Sequence, residues 1–158
     1  MHRVGIIGLG TVGSRFVEQF GRHADFDLVS AWDPDPLACE VHADAVPIAG
    51  GAGGVIAESD AVYIAVPPAF HRTYVEACVD AGVAVFCEKP LGIDIAESRA
   101  LVDLVERSGL PAGVNFVFGA APSAVGSIIA NGVIRPAARF AIAARTGASG
   151  GALAKLTK

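Results

Sequence analysis

Val4-Gly5-Ile6-Ile7-Gly8-Leu9-Gly10-Thr11-Val12-Gly13 is the stretch on which the fold turns. Val4 to Ile7 reads as a buried strand, and Thr11 to Phe20 as a helix with Val12, Phe16, Val17 and Phe20 on one face. Between them lies a GxGxxG turn. In this setting the three glycines do different things. Gly8 permits the tight turn, Gly10 lets backbone approach a pyrophosphate, and Gly13 lets helix and strand pack closely. The free N–H groups and positive end of the helix then face the phosphates.

Working outward, Leu28 to Trp32 reads as a second strand, ended by Asp33-Pro34-Asp35-Pro36. Asp33 stands twenty residues after Gly13, where a carboxylate accepts hydrogen bonds from an adenosine ribose. A carboxylate repels a 2′-phosphate, so NAD is expected ahead of NADP. The plainer reading of Asp33 is a turn-forming residue before proline.

Pro36 to His42 is expected to form a short helix, and Gly50 to Gly54 a loop followed by a helical turn. Val62 to Val66 is a third strand, stopped by Pro67-Pro68. Phe70 to Ala81 is helical, Val83 to Phe86 a strand, Ile95 to Arg107 helical and Ala112 to Phe118 a strand. Apolar strands alternating with helices predict an α/β fold, a doubly wound parallel sheet of the Rossmann type. Ligands of such sheets bind beyond the carboxyl ends of the strands. Two further segments fall there. Val66-Pro67-Pro68-Ala69-Phe70-His71 offers a rigid rim and a histidine near a helix start, on the cofactor side or simply at the surface. Cys87-Glu88-Lys89-Pro90 offers an ammonium able to hydrogen-bond a substrate hydroxyl or carbonyl, with Glu88 holding that lysine. The plainer reading is a surface Glu-Lys pair before a proline turn.

The 158 residues carry 12 basic and 16 acidic side chains, a net charge of −4, with 53% apolar residues. That excludes a disordered chain and argues against a nucleic-acid binder, which would normally be basic. Residues 1–106 hold all 16 acids and 6 bases, whereas residues 107–158 hold 6 bases and no acid. Cys39, Cys78 and Cys87 form no CxxC pair, so reduced thiols, no metal and a cytoplasmic location are expected. Ser108 to Ile134 runs 27 residues without a charge, but its prolines, asparagines and glycines argue against a membrane span.

The GxGxxG at Gly8 to Gly13, the proline-then-histidine segment Pro67 to His71, and Glu88-Lys89-Pro90-Leu91 occur here in one order and spacing. In these elements the chain resembles the Gfo/Idh/MocA family of oxidoreductases, over residues 1 to about 135. The resemblance implies hydride exchange between NAD or NADP and a hydroxyl-bearing carbon of a sugar, inositol or similar small molecule. It also implies roles for individual residues. Gly8, Gly10, Thr11, Val12 and Gly13 would contact the pyrophosphate and Asp33 the ribose. Val66, Pro67, Pro68 and His71 would lie along the nicotinamide half. Glu88 and Lys89 would sit between cofactor and substrate, with Lys89, and after it His71, available for proton transfer. Asn115, at the end of a sixth strand, would add a polar group.

The match also has gaps. Family members are typically more than twice this long, with a second domain that supplies most of the substrate pocket and a catalytic histidine. The four histidines here are His2, His23, His42 and His71, and none follows. Residues 1–120 are therefore expected to form the NAD(P)-binding domain, and 121–158 the truncated start of a second, α+β substrate domain, or a tail. There, Ser123 to Asn131 reads as a helix and Arg139 to Ala144 as a strand. Two functions follow: an oxidoreductase completed by a partner chain or another copy, or a non-catalytic dinucleotide-binding module or truncated relative. Apolar surface left around Val114 to Phe118 and Val125 to Ile129 suggests a homo-oligomer or a partner chain.

Overall fold

The computed structural model describes residues 2–115. The expected second-domain remnant, with its helix at Ser123 and its strand at Arg139, lies outside the described residues. The elements within them are β1 (His2–Ile7), α1 (Thr11–Gly21), β2 (Phe26–Trp32), α2 (Pro36–His42), α3 (Ala52–Glu58), β3 (Ala61–Ile64), a one-turn 3-10 helix (Pro68–Phe70), α4 (His71–Asp80), β4 (Ala84–Glu88), α5 (Ile95–Ser108) and β5 (Ala112–Asn115).

The five strands form one parallel sheet in the order β2-β1-β3-β4-β5. The order reverses between β1 and β3, which opens a crevice at their carboxyl ends. The sheet is buried from both sides, so its strands lack polar alternation. On one side, Ile7, Val62, Ile64, Val85 and Cys87 pack against Val55 and Ile56 of α3, Val75 and Cys78 of α4, and Leu101 of α5. On the other, Ile6, Ala31 and Tyr63 pack with Val17, Phe16 and Phe20 of α1. The sheet is thus doubly wound, as the alternation predicts.

Local differences from expectation have physical causes. Gly53 and Gly54 lie inside α3, where a loop is expected, because Val55 and Ile56 just after them are buried and their packing outweighs poor helix propensity. Val12 is 37% exposed rather than on the apolar face, since the first turn of α1 stands beyond the end of the sheet. Asn115 ends the fifth strand of the described residues, not a sixth. Residues Pro47 to Ala49 run along the outer edge of β2, hydrogen-bonded to Ala31 on both sides, a pairing that no periodicity signals. No helix among the described residues is long and apolar enough to cross a membrane.

Candidate dinucleotide site

The turn between β1 and α1 distributes its glycines as its sequence suggests. Gly8 has a φ of +99°, and a Cβ there would lie 2.7 Å from the Ala65 backbone. A Cβ on Gly13 would stand 1.8 Å from the Gly8 carbonyl oxygen, so these two glycines are demanded by the protein's own packing. Gly10 differs: a Cβ there meets no heavy atom within 4 Å. Its bareness serves no internal contact and leaves backbone open to whatever approaches. Gly10 also caps α1 without a side-chain acceptor, and no acidic residue lies in that helix's first turn. Thr11 and Val12 are exposed in that first turn, with Gly13 buried behind them, and the positive end of the helix dipole lies there.

Asp33 follows β2 and reaches across to this turn. Its Oδ2 accepts the Leu9 N–H at 2.6 Å and its Oδ1 accepts the Asp35 N–H at 2.8 Å. The carboxylate thus both forms the local turn and braces the glycine loop. Each oxygen keeps a second lone pair. Sequence reasoning missed the partner that fixes this residue. The Cys39 thiol, one turn into α2, accepts the Asp33 N–H at 3.3 Å and lies 3.4 Å from its carbonyl.

Pro67 is exposed and Pro68 half-buried at the end of β3, while Val66 is buried. His71 is wholly buried, which corrects the expectation that it takes part in proton transfer. Its Nε2 lies 2.8 Å from the Val66 carbonyl oxygen and its Nδ1 3.1 Å from that of Leu91. Neither ring nitrogen is open to a substrate.

Lys89 is exposed at the carboxyl end of β4 and makes no ion pair among the described residues. Glu88, expected between cofactor and substrate, and Asn115, expected as a substrate- or cofactor-side polar group, are both buried. The parallel register sets Glu88 beside Asn115, and Tyr63 faces the same side from β3. The Tyr63 hydroxyl and the Asn115 amide both donate to Glu88 Oε1, and the same amide lies 3.2 Å from the Tyr63 oxygen. Glu88 Oε2 accepts the Lys89 backbone N–H at 3.2 Å. Glu88 therefore holds the lysine's main chain, not its ammonium. Burial, and then the hydrogen bond to Glu88, push the Tyr63 phenol well above its ordinary range. Tyr63 was not legible as a site residue, because one tyrosine in an apolar strand reads as core. It does pack as core, with ring centroids 4.1 Å from Phe16 and 5.1 Å from Phe86.

Comparison with known proteins points the same way. Residues 2–116 match the model of the Gfo/Idh/MocA oxidoreductase family, described by its NAD-binding Rossmann fold. Among curated relatives, the myo-inositol dehydrogenase Hyg17 of Streptomyces leeuwenhoekii is 33% identical over 117 residues, which is 72% of this chain and 36% of that protein. Among solved structures, the UDP-N-acetylglucosamine 3-dehydrogenase GnnA of Acidithiobacillus ferrooxidans superposes with a TM-score of 0.70 at 26% identity, covering 83% of this chain and 42% of that one. The biliverdin reductase of Synechocystis sp. PCC 6803, solved with biliverdin and NADP+, gives 0.70 at 28% identity, with 83% and 42% covered. The chain thus spans about a third of the length of the curated relatives it matches.

Proposed function

Since the chain belongs to the Gfo/Idh/MocA oxidoreductase family, by the match of residues 2–116, we propose that it binds a nicotinamide dinucleotide across the β1/β3 crevice and takes part in hydride exchange with a hydroxyl-bearing small molecule. The single observation that carries this reading is the turn at Gly8 to Gly13. An uncapped helix N-terminus and a glycine with open space above it fit a pyrophosphate. When bound, the dinucleotide supplies the hydride chemistry. The chain's own residues bind and orient. Thr11, Val12 and Gly13 present N–H groups to the phosphates. Asp33 offers its remaining lone pairs to ribose hydroxyls, and its negative charge disfavours a 2′-phosphate. NAD is therefore the preferred cofactor, even though a neighbour of similar fold was solved with NADP+.

Pro67 and Pro68 line the nicotinamide half. Lys89 is the group that exchanges a proton with the substrate hydroxyl. The names of the relatives support a sugar or cyclitol alcohol as the substrate class. For partners, an exposed apolar strip at Ile93, Ile95 and Val102, beside Pro90, supports a second copy or a partner chain, which sedimentation velocity reads directly.

The test is NADH formation from NAD with a panel of inositols and sugars. Turnover with one of them, falling about 10²- to 10⁴-fold in Lys89→Met, is the expected result. One observation favours a second reading, a dinucleotide-binding module without catalysis: burial of His71 leaves Lys89 as the sole proton-transfer group of those expected from the sequence. Tight NADH binding with no turnover, unchanged in Lys89→Met, would select that reading.

A further inference from the structure

The two loops that meet at the carboxyl ends of β3 and β4 come from separate βα units, and no strand pairing continues into either. One runs from Ala65 to Pro68, the other from Lys89 to Gly92. Their relative position depends on what bridges them. Glu88 fixes the second loop at its start through the Lys89 N–H. The Leu91 side chain packs on the core cluster that includes Val75, Cys78 and Leu101. Among the described residues, the one side chain within hydrogen-bond distance of both loops is His71, at the first residue of α4, with Nε2 beside the Val66 carbonyl and Nδ1 beside that of Leu91. A neutral imidazole carries one N–H donor and a carbonyl carries none, so the ring donates to one of the two carbonyls and stands against the other. The Val66 contact is buried and the Leu91 contact part-buried, so loss of the donated bond would leave a poorly solvated polar atom without a partner.

We propose that His71 is a positioning residue: seated between the Val66 and Leu91 carbonyls and hydrogen-bonded to one of them, it fixes the gap between the proline rim and the lysine loop, and so sets affinity for the nicotinamide end of the dinucleotide without touching it. The inference rests on the dinucleotide reading given above. Its distinctive consequence is a division along the ligand. The adenosine and pyrophosphate end is held by the Gly8 to Gly13 turn and Asp33, none of which His71 contacts. The nicotinamide end lies between the loops that His71 joins.

The experiment compares ADP-ribose with NADH by calorimetry on the whole chain, in the wild type and in His71→Asn and His71→Gln. Asparagine places its amide nitrogen where Nδ1 stands, and glutamine where Nε2 stands, so each keeps one of the two contacts. The expected result is ADP-ribose affinity changed less than about twofold, with NADH weakened about tenfold in the variant that loses the donated bond, the worth of one hydrogen bond. Equal weakening of both ligands, or of neither, overturns the inference while leaving the dinucleotide reading intact. A wild-type chain that binds neither ligand overturns both.

Should the variants fail to fold, the wild type answers by nuclear magnetic resonance. A scalar coupling across a hydrogen bond, from one His71 ring nitrogen to the Val66 or the Leu91 carbonyl carbon, is expected with and without NADH. If neither coupling is present, the clamp does not exist.

Discussion

Asp33 ties two backbone segments together through its two carboxylate oxygens. Its carboxylate braces the glycine loop through Leu9 and still has lone pairs for a ribose. Asp33→Asn keeps one acceptor oxygen and removes the charge. We expect NADH affinity to fall by about 1.5–3 kcal/mol, the range for hydrogen bonds to a charged group. NADPH should fall less, so that the preference for NADH shrinks; titration of both ligands against the variant checks it. The position of Asp33 was legible, because spacing from a glycine turn is a property of the chain alone. The Leu9 and Cys39 contacts were not, since they depend on how α2 folds back over the end of β2. The same limit explains His71, Glu88 and Asn115. Sequence order places them at the cleft, but side-chain direction follows from strand register and from the start of α4. Those turn all three inward, toward backbone carbonyls or toward one another.

At the scale of elements, the β1–α1 unit makes a sharp distinction between glycines that look alike in sequence. A methyl on Gly10 meets nothing, whereas one on Gly13 is driven into the Gly8 carbonyl. Gly10→Ala is expected to change stability by no more than about 0.5 kcal/mol while weakening dinucleotide binding. Gly13→Ala is expected to cost about 1–3 kcal/mol of stability, because α1 must move off the strand. Urea unfolding read beside NADH titration separates the two effects. Equal destabilisation by both substitutions would show that the turn is built differently. Alternation of period two and period 3.6 made most elements legible. It failed at α3, where two glycines precede the buried Val55 and Ile56, because tertiary burial supplies what local propensity lacks. The Tyr63–Glu88–Asn115 cluster was equally hidden. It joins three strands distant in sequence, and only the register brings its members together.

Over the described molecule, buried groups of the sheet and of α4 make stability fall at alkaline pH. Burial pushes the Cys78 thiol from 9.0 to about 12. Burial, with the nearby Glu88 charge, does the same to Cys87, and the Tyr63 phenol is raised further. Each group holds its proton more tightly folded than unfolded. For the two thiols the contribution is therefore complete below the unfolded value, near pH 9.0, and is lost as pH rises through the folded values, near pH 12. The urea midpoint should fall steadily across that window, and less steeply in Cys78→Ala; a midpoint independent of pH there would contradict the burial. The central claim concerns the whole crevice: the chain belongs to an oxidoreductase family, and its β1/β3 end is built for a dinucleotide. Trp32, the only tryptophan, adjoins Asp33 and reports on that end directly. Titration of the chain with NADH and with NADPH, read through Trp32 fluorescence, is the most direct test. The account predicts a saturable change with both and tighter binding of NADH; no change with either, and no shift in melting temperature, would contradict it.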